Sequence, residues 1–125
     1  MAGIYIHVPF CKKKCLYCDF YSLGVSEKTE HFHLLIEKEL KLRKEFIPNE
    51  KIDTIYFGGG TPSLLAASQV EYILHSISKE FKIAIDAEIT IEVNPDDVTS
   101  DLMRAYRAAG INRVSIGIQS FIDDE

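Results

Sequence analysis

Residues 3–8, 52–57, 87–93 and 113–118 each read as a short strand, and helix-length segments separate them. In the first run Ile4, Ile6 and Val8 alternate with Tyr5 and His7. This alternation leaves few folds open. Strands joined by helix-length connections pair in parallel through right-handed crossovers. Four such units in succession predict an α/β fold, either a doubly wound sheet or part of a β/α barrel. The alternate positions narrow the choice. Tyr5 and His7, then Glu88, Thr90 and Glu92, then Ser115, Gly117 and Gln119, put polar or small residues on one face of three strands. A parallel sheet covered on both sides normally reads as continuous Val, Ile and Leu. A polar interior face must therefore line a cavity for a polar ligand, because buried carboxylates need partners. The alternative is a sheet with one face in water, which helix-length crossovers argue against.

The connections have their own punctuation. Ser26 is the expected N-cap of a helix running to about residue 46, with Phe32, Leu35, Ile36, Leu40 and Leu42 as its apolar face. Glu37–Lys41 and Glu39–Arg43 are i,i+4 pairs on the wet side. Pro48-Asn49 breaks the chain, a second helix is expected over 67–81, and Asn94-Pro95 stops the third strand. Ser100 is the expected cap of a short helix ending before Gly110. Residues 9–24 are expected to form a loop, and all three cysteines of the chain, Cys11, Cys15 and Cys18, lie in it.

An odd number of cysteines cannot all pair internally. Clustered thiols point to metal or redox chemistry rather than a disulfide frame. A net charge of −5 speaks against a general nucleic-acid binder. No apolar run is long enough to span a bilayer. The chain enters its first strand directly after Met1-Ala2-Gly3, with no secretory pattern, so the expected compartment is the cytoplasm.

Three thiolates from one short loop suit an iron–sulfur cubane, since iron favours soft sulfur ligands. No fourth protein ligand is evident, which would leave one iron open to a substrate or cofactor. A zinc site completed by His7, His31 or His33 is the competing reading, and three unrelated buried cysteines the bland one. Gly58-Gly59-Gly60-Thr61-Pro62 ends the second strand, where consecutive glycines let the backbone approach a ligand closely. A tight turn would explain the same residues. Neither a P-loop nor the dinucleotide fingerprint fits them. Glu92 stands on the polar face near the end of the third strand, placed to accept hydrogen bonds from a ribose or an ammonium, or simply to face solvent. Gln119 follows the fourth strand and could equally be an ordinary loop amide. His7 could serve the cluster or be a satisfied core histidine. Lys12, Lys13 and Lys14 could attract an acidic electron donor of the flavodoxin type, or form a solvated face.

The run from Ile4 to Cys11, the spacing Cys11, Cys15, Cys18, and the flank Asp19-Phe20-Tyr21-Ser22 resemble the radical S-adenosylmethionine superfamily. Within it they resemble the coproporphyrinogen dehydrogenase-like family, which includes the haem chaperones. The resemblance rests on four motifs in order and covers essentially the whole chain. It implies that residues 1–125 are the N-terminal part of a radical SAM core, about four βα units of a partial β/α barrel, with the rest of the barrel and a C-terminal domain lying beyond. It implies a [4Fe–4S] cluster on Cys11, Cys15 and Cys18. S-adenosylmethionine would chelate the open iron, and its reductive cleavage would give a 5′-deoxyadenosyl radical able to abstract hydrogen. The implied cofactor contacts are Tyr5, Tyr17, Gly59, Gly60, Thr61, Glu92 and Gln119, with no separate catalytic side chain among them.

One position separates the branches. The coproporphyrinogen dehydrogenases carry a further cysteine two residues after the third cluster ligand, and Phe20 stands there in this chain. The departure resembles the haem-chaperone branch, which implies haem and a haem-acceptor protein as partners, with transfer of haem as the role. An oxygen-independent coproporphyrinogen III dehydrogenase is the alternative, and a zinc or iron–sulfur module without radical chemistry is the alternative of another class. By resemblance the haem site lies beyond residue 125, so these 125 residues by themselves are expected to be inactive as a haem carrier.

Overall fold

The computed structural model describes residues 1–11, 23–24 and 27–117. In chain order the elements are β1 (Ala2–Val8), β2 (Phe10–Cys11), β3 (Leu23–Gly24), α1 (Glu27–Glu30), α2 (Phe32–Leu42), β4 (Lys51–Gly59), α3 (Ala67–Glu80), β5 (Lys82–Val93), α4 (Ser100–Ala109) and β6 (Arg113–Ile116). Strands β1, β4, β5 and β6 form one sheet in that order, every pair parallel.

This order separates the two architectures that the alternation allows. A doubly wound sheet reverses its strand order at a switch point. Here each strand lies beside its predecessor. With crossovers of one hand, every helix then falls on the same side of the sheet, as in a β/α barrel. The packing agrees. Ile6, Val8, Ile55, Phe57, Ile91 and Val93 from the strands share one core with Phe32 and Leu40 of α2, Val70, Ile73 and Ile77 of α3, and Tyr106 of α4. The opposite face carries Tyr5, His7, Thr54, Tyr56, Glu88, Glu92 and Ser115 and has no helical cover among the described residues. The sheet is thus an arc of a barrel, with its polar side inward.

Several boundaries differ from those the sequence predicts. The first helix is not continuous. Gln69 of α3 donates through Nε2 to the carbonyls of Thr29 (2.8 Å) and Glu30 (3.4 Å), taking acceptors that an unbroken helix would use four residues on. The chain turns at His31 and restarts at Phe32, then ends in a 3-10 turn, Lys44–Phe46. Of its expected apolar face, Phe32 and Leu40 are buried and Ile36 half-buried, whereas Leu35 and Leu42 are exposed. Both expected ion pairs form, Lys41–Glu37 at 3.2 Å and Arg43–Glu39 at 3.0 Å. Asn49 takes a positive φ of 67°, consistent with the break at Pro48-Asn49. Strand β5 begins at Lys82, five residues before the expected start at Ala87, because its first residues pair with Lys51 and Ile52 ahead of an irregularity in register. Thr99, not Ser100, caps α4: its side chain accepts from the Leu102 amide at 3.1 Å. The expected loop over 9–24 also contains a short parallel pairing, Phe10 with Leu23 and Cys11 with Gly24. The expected cap at Ser26 lies outside the described residues.

Tyr106 ties α4 to the segment after β4. Its hydroxyl is buried and donates to the Leu65 carbonyl at 2.7 Å. Burial, with a smaller contribution from Asp97, pushes its pKa up to about 12. Tyr106→Phe is expected to cost about 1–2 kcal/mol in urea unfolding, since it leaves the carbonyl without its donor. The pH dependence has a definite sign. A raised folded-state pKa gives stability that is full below the ordinary value of 10.0 and is lost as pH rises through about 12. The variant should therefore lose less stability than the parent between pH 10 and 12. An equal alkaline loss in both would show that Tyr106 does not carry it.

Candidate functional site at the carboxyl ends of the strands

In parallel α/β folds, ligands sit where strands end at their carboxyl termini. Here that edge gathers Cys11, the Gly58–Thr61 turn, and Glu92, with Tyr5 and Tyr56 below them on the polar face.

The glycine turn is fastened to the cysteine-bearing segment. The Gly60 amide donates to the Val8 carbonyl at 2.7 Å, and the Thr61 amide to the Phe10 carbonyl at 2.6 Å. Gly59 has φ +107°, a backbone conformation that side chains disfavour, and a Cβ there would lie 2.8 Å from the His7 ring. A Cβ on Gly60 would stand 2.6 Å from the Phe10 carbonyl oxygen and 2.8 Å from Cys11 Sγ. The close approach that glycine permits at Gly60 is therefore to the chain's own first cysteine. The sequence leaves open whether the glycines admit a ligand or a tight turn; at Gly60 the neighbours the structure shows are Phe10 and Cys11.

Behind the turn, a second set of bonds ties the β4 and β5 ends together. Ser63, in the 3-10 turn Pro62–Leu64, donates to Asp97 Oδ2 at 2.8 Å and accepts from the Asn94 amide at 3.3 Å. Asn94 in turn caps the 3-10 turn Pro95–Asp97, accepting from the Asp96 amide at 3.1 Å. The Gly-Thr-Pro turn and the Asn-Pro turn are thus one braced rim. Neither Ser63 nor Asp97 announces itself in the sequence, because each gains its meaning only from the other's position.

On the polar face, Tyr5 and Tyr56 are register partners and their rings stack, with centroids 6.0 Å apart and planes at 19°. The Tyr5 hydroxyl is hydrogen-bonded to His7 Nδ1 at 3.2 Å. Tyr56 donates to Glu92 Oε1 at 2.8 Å. Both phenols have pKa values above the ordinary one. For Tyr5 the cause is desolvation, then repulsion by Glu92; for Tyr56 it is desolvation, then the bond to Glu92, partly offset by Ser115 and Arg113. Further down, Arg113 pairs with Glu88 at 3.4 Å. Tyr5 remains 57% exposed, so the face is open to a ligand.

Of the residues the sequence singles out, the structure brings Cys11, Gly59, Gly60 and Thr61 together at one rim, and Tyr5 and Glu92 onto one face through Tyr56. Cys15, Tyr17, Cys18, Gln119 and the lysines 12–14 lie outside the described residues. Cys11 is half-buried at the strand ends and is not in a disulfide. A soft thiol donor at the mouth of the sheet, held by a glycine cradle, fits a cluster ligand. His33, one of the histidines named for a zinc site, packs on the helical side, with Nδ1 3.3 Å from Gln69 Nε2 and its ring edge-on to Tyr72. Among the described residues, no three of His, Cys, Asp and Glu come together to hold a metal ion. None of the helices there is long and apolar enough to cross a membrane.

Comparison with known proteins gives the site a family. Residues 5–124 match the model of the radical SAM superfamily. The chain is 41% identical to the heme chaperone HemW of Haemophilus influenzae, over 98% of this chain and 34% of that protein. It is 40% identical to the Escherichia coli heme chaperone HemW, over 98% of this chain and 33% of that protein. The solved structure of E. coli coproporphyrinogen III oxidase (HemN), described as a radical SAM enzyme, superposes with a TM-score of 0.87 at 30% identity, covering 98% of this chain and 29% of that one. The chain spans about a third of the length of the curated relatives it matches.

Proposed function

The chain belongs to the radical SAM superfamily, and on that footing we propose that it is the N-terminal part of the radical SAM core of a haem chaperone. In this reading Cys11, Cys15 and Cys18 hold a [4Fe–4S] cluster, and S-adenosylmethionine lies across the strand ends. The observation that carries it is the likeness, at about 40% identity and along nearly the whole chain, to several proteins named heme chaperone. Phe20, standing where the dehydrogenases carry a further cysteine, supports the same branch. The dehydrogenase reading has the HemN structure in its favour, at the lower identity of 30%.

The cluster supplies, when bound, an electron for cleaving a carbon–sulfur bond of the cofactor. The protein's own part is binding and orientation. Cys11 offers a thiolate at the rim. The Gly59–Thr61 backbone presents carbonyl groups to the ammonium end of S-adenosylmethionine. Glu92 offers a carboxylate to its ribose or ammonium hydrogens, and Tyr5 an aromatic surface beside them. Tyr17 and Gln119 would complete the contacts. Haem and a haem-acceptor protein are the proposed partners of the full-length protein, and a flavodoxin-type donor facing Lys12–Lys14 its proposed electron source. Clustered thiols fit a reducing compartment such as the cytoplasm.

The test is affinity for S-adenosylmethionine in the anaerobically reconstituted full-length protein. Glu92→Ala is expected to weaken binding at least tenfold, roughly the worth of hydrogen bonds to a charged group, while the cluster absorbance stays that of the parent. Parental affinity in this variant would remove Glu92 from the site.

A further inference from the structure

A carboxylate on an exposed strand face is free to take several rotamers, and a ligand that needs one of them must wait for it. Glu92 is not in that position. Its Oε1 accepts from Tyr56 at 2.8 Å, which restricts the orientations open to the carboxylate. Tyr56 is itself held on two sides. Its ring stacks on Tyr5, and its hydroxyl is committed to Glu92. The stack has room because the neighbouring residue is Gly58: a Cβ there would lie 2.9 Å from Tyr5 Cε2 and 2.9 Å from Tyr56 Cε1. Three strands thus meet at one side chain: Tyr5 on β1 stacks on the Tyr56 ring, Gly58 on β4 leaves room for the stack, and Glu92 on β5 accepts from the Tyr56 hydroxyl.

We propose that Tyr56 is a positioning residue for cofactor binding, aiming the Glu92 carboxylate at the S-adenosylmethionine hydrogens while its ring sets the plane of Tyr5. The inference deepens the proposed function and rests on Glu92 being a cofactor ligand. It gives Tyr56 a task that the Tyr5, Gly59–Thr61 and Glu92 contacts leave unassigned.

A double-mutant cycle on the full-length reconstituted protein tests it, with S-adenosylmethionine affinity as the readout and cluster absorbance and melting temperature alongside. Tyr56→Phe keeps the stacked ring and removes only the hydroxyl. It is expected to weaken binding about fivefold, the worth of roughly one net hydrogen bond, with cluster absorbance unchanged. In a Glu92→Ala background the same change should have no further effect, because nothing remains to be aimed. Parental affinity in Tyr56→Phe overturns the proposal, as does an equal loss in both backgrounds or a loss accompanied by cluster release. If Glu92→Ala itself binds like the parent, the placement of the cofactor falls and this inference falls with it. If Glu92→Ala binds weakly and Tyr56→Phe binds normally, only this inference falls.

Discussion

Cys11→Ala in the full-length protein is expected to abolish the cluster. The anaerobically reconstituted parent should carry about four irons per chain, as a cubane requires, and absorb as a brown iron–sulfur protein. The variant should lose that absorbance and nearly all the iron. The expectation follows from ligand number. Three thiolates are the whole protein contribution to the cluster in this reading, so removing one leaves two adjacent corners for the solvent. Cys15→Ala and Cys18→Ala should behave alike. The fold should survive Cys11→Ala, because Cys11 is only half-buried and the sheet core lies on the opposite side of the strands from the polar face. Circular dichroism on the apo form of parent and variant checks that. Stoichiometric zinc in place of iron in the anaerobic parent would sink the cluster reading and restore the metal-module alternative.

Most of the fold was legible because period-two alternation and helix-length spacing are local signals. Ile4, Ile6 and Val8 against Tyr5 and His7 already specify which face of β1 is core. The polar face is readable for the same reason on three strands, but the role of Tyr56 on the remaining strand is not. Nothing in IDTIYF marks its tyrosine as different from a core aromatic. Only the register, which sets Tyr56 beside Tyr5 and sends its hydroxyl to Glu92, gives it a role. The break at His31 is illegible for a related reason: the side chain that takes the freed Thr29 and Glu30 carbonyls, Gln69, lies on another helix. The Ser63–Asp97 brace is equally non-local. The glycine turn is legible in the sequence, but which neighbour it makes room for is not. Composition says that a backbone must come close to something; it does not say whether that something is a ligand or the chain itself.

That last point makes Gly60→Val the sharper of the turn substitutions. If the glycine served only to admit the cofactor, the variant would lose S-adenosylmethionine and keep its cluster. The structure predicts otherwise. Even the first carbon of a side chain would sit 2.6 Å from the Phe10 carbonyl oxygen and 2.8 Å from Cys11 Sγ. The first of these is backbone, which cannot swing aside as a flexible side chain does. Two bonds also pin the segments together here, Gly60 to Val8 and Thr61 to Phe10, so relief requires breaking at least one of them. Overpacking of this kind costs about 1–3 kcal/mol, and it falls on the residue that carries the first cluster ligand. Gly60→Val is therefore expected to lose cluster and cofactor together, and Gly60→Ala to lose a large part of both. Glu92→Ala is the contrast, losing cofactor affinity alone. Iron content, cluster absorbance and S-adenosylmethionine affinity, measured on the three variants side by side, separate the two accounts. A Gly60→Ala protein with full iron and a parental melting temperature would show that the rim yields easily, and that the glycine is kept for the ligand rather than for Cys11.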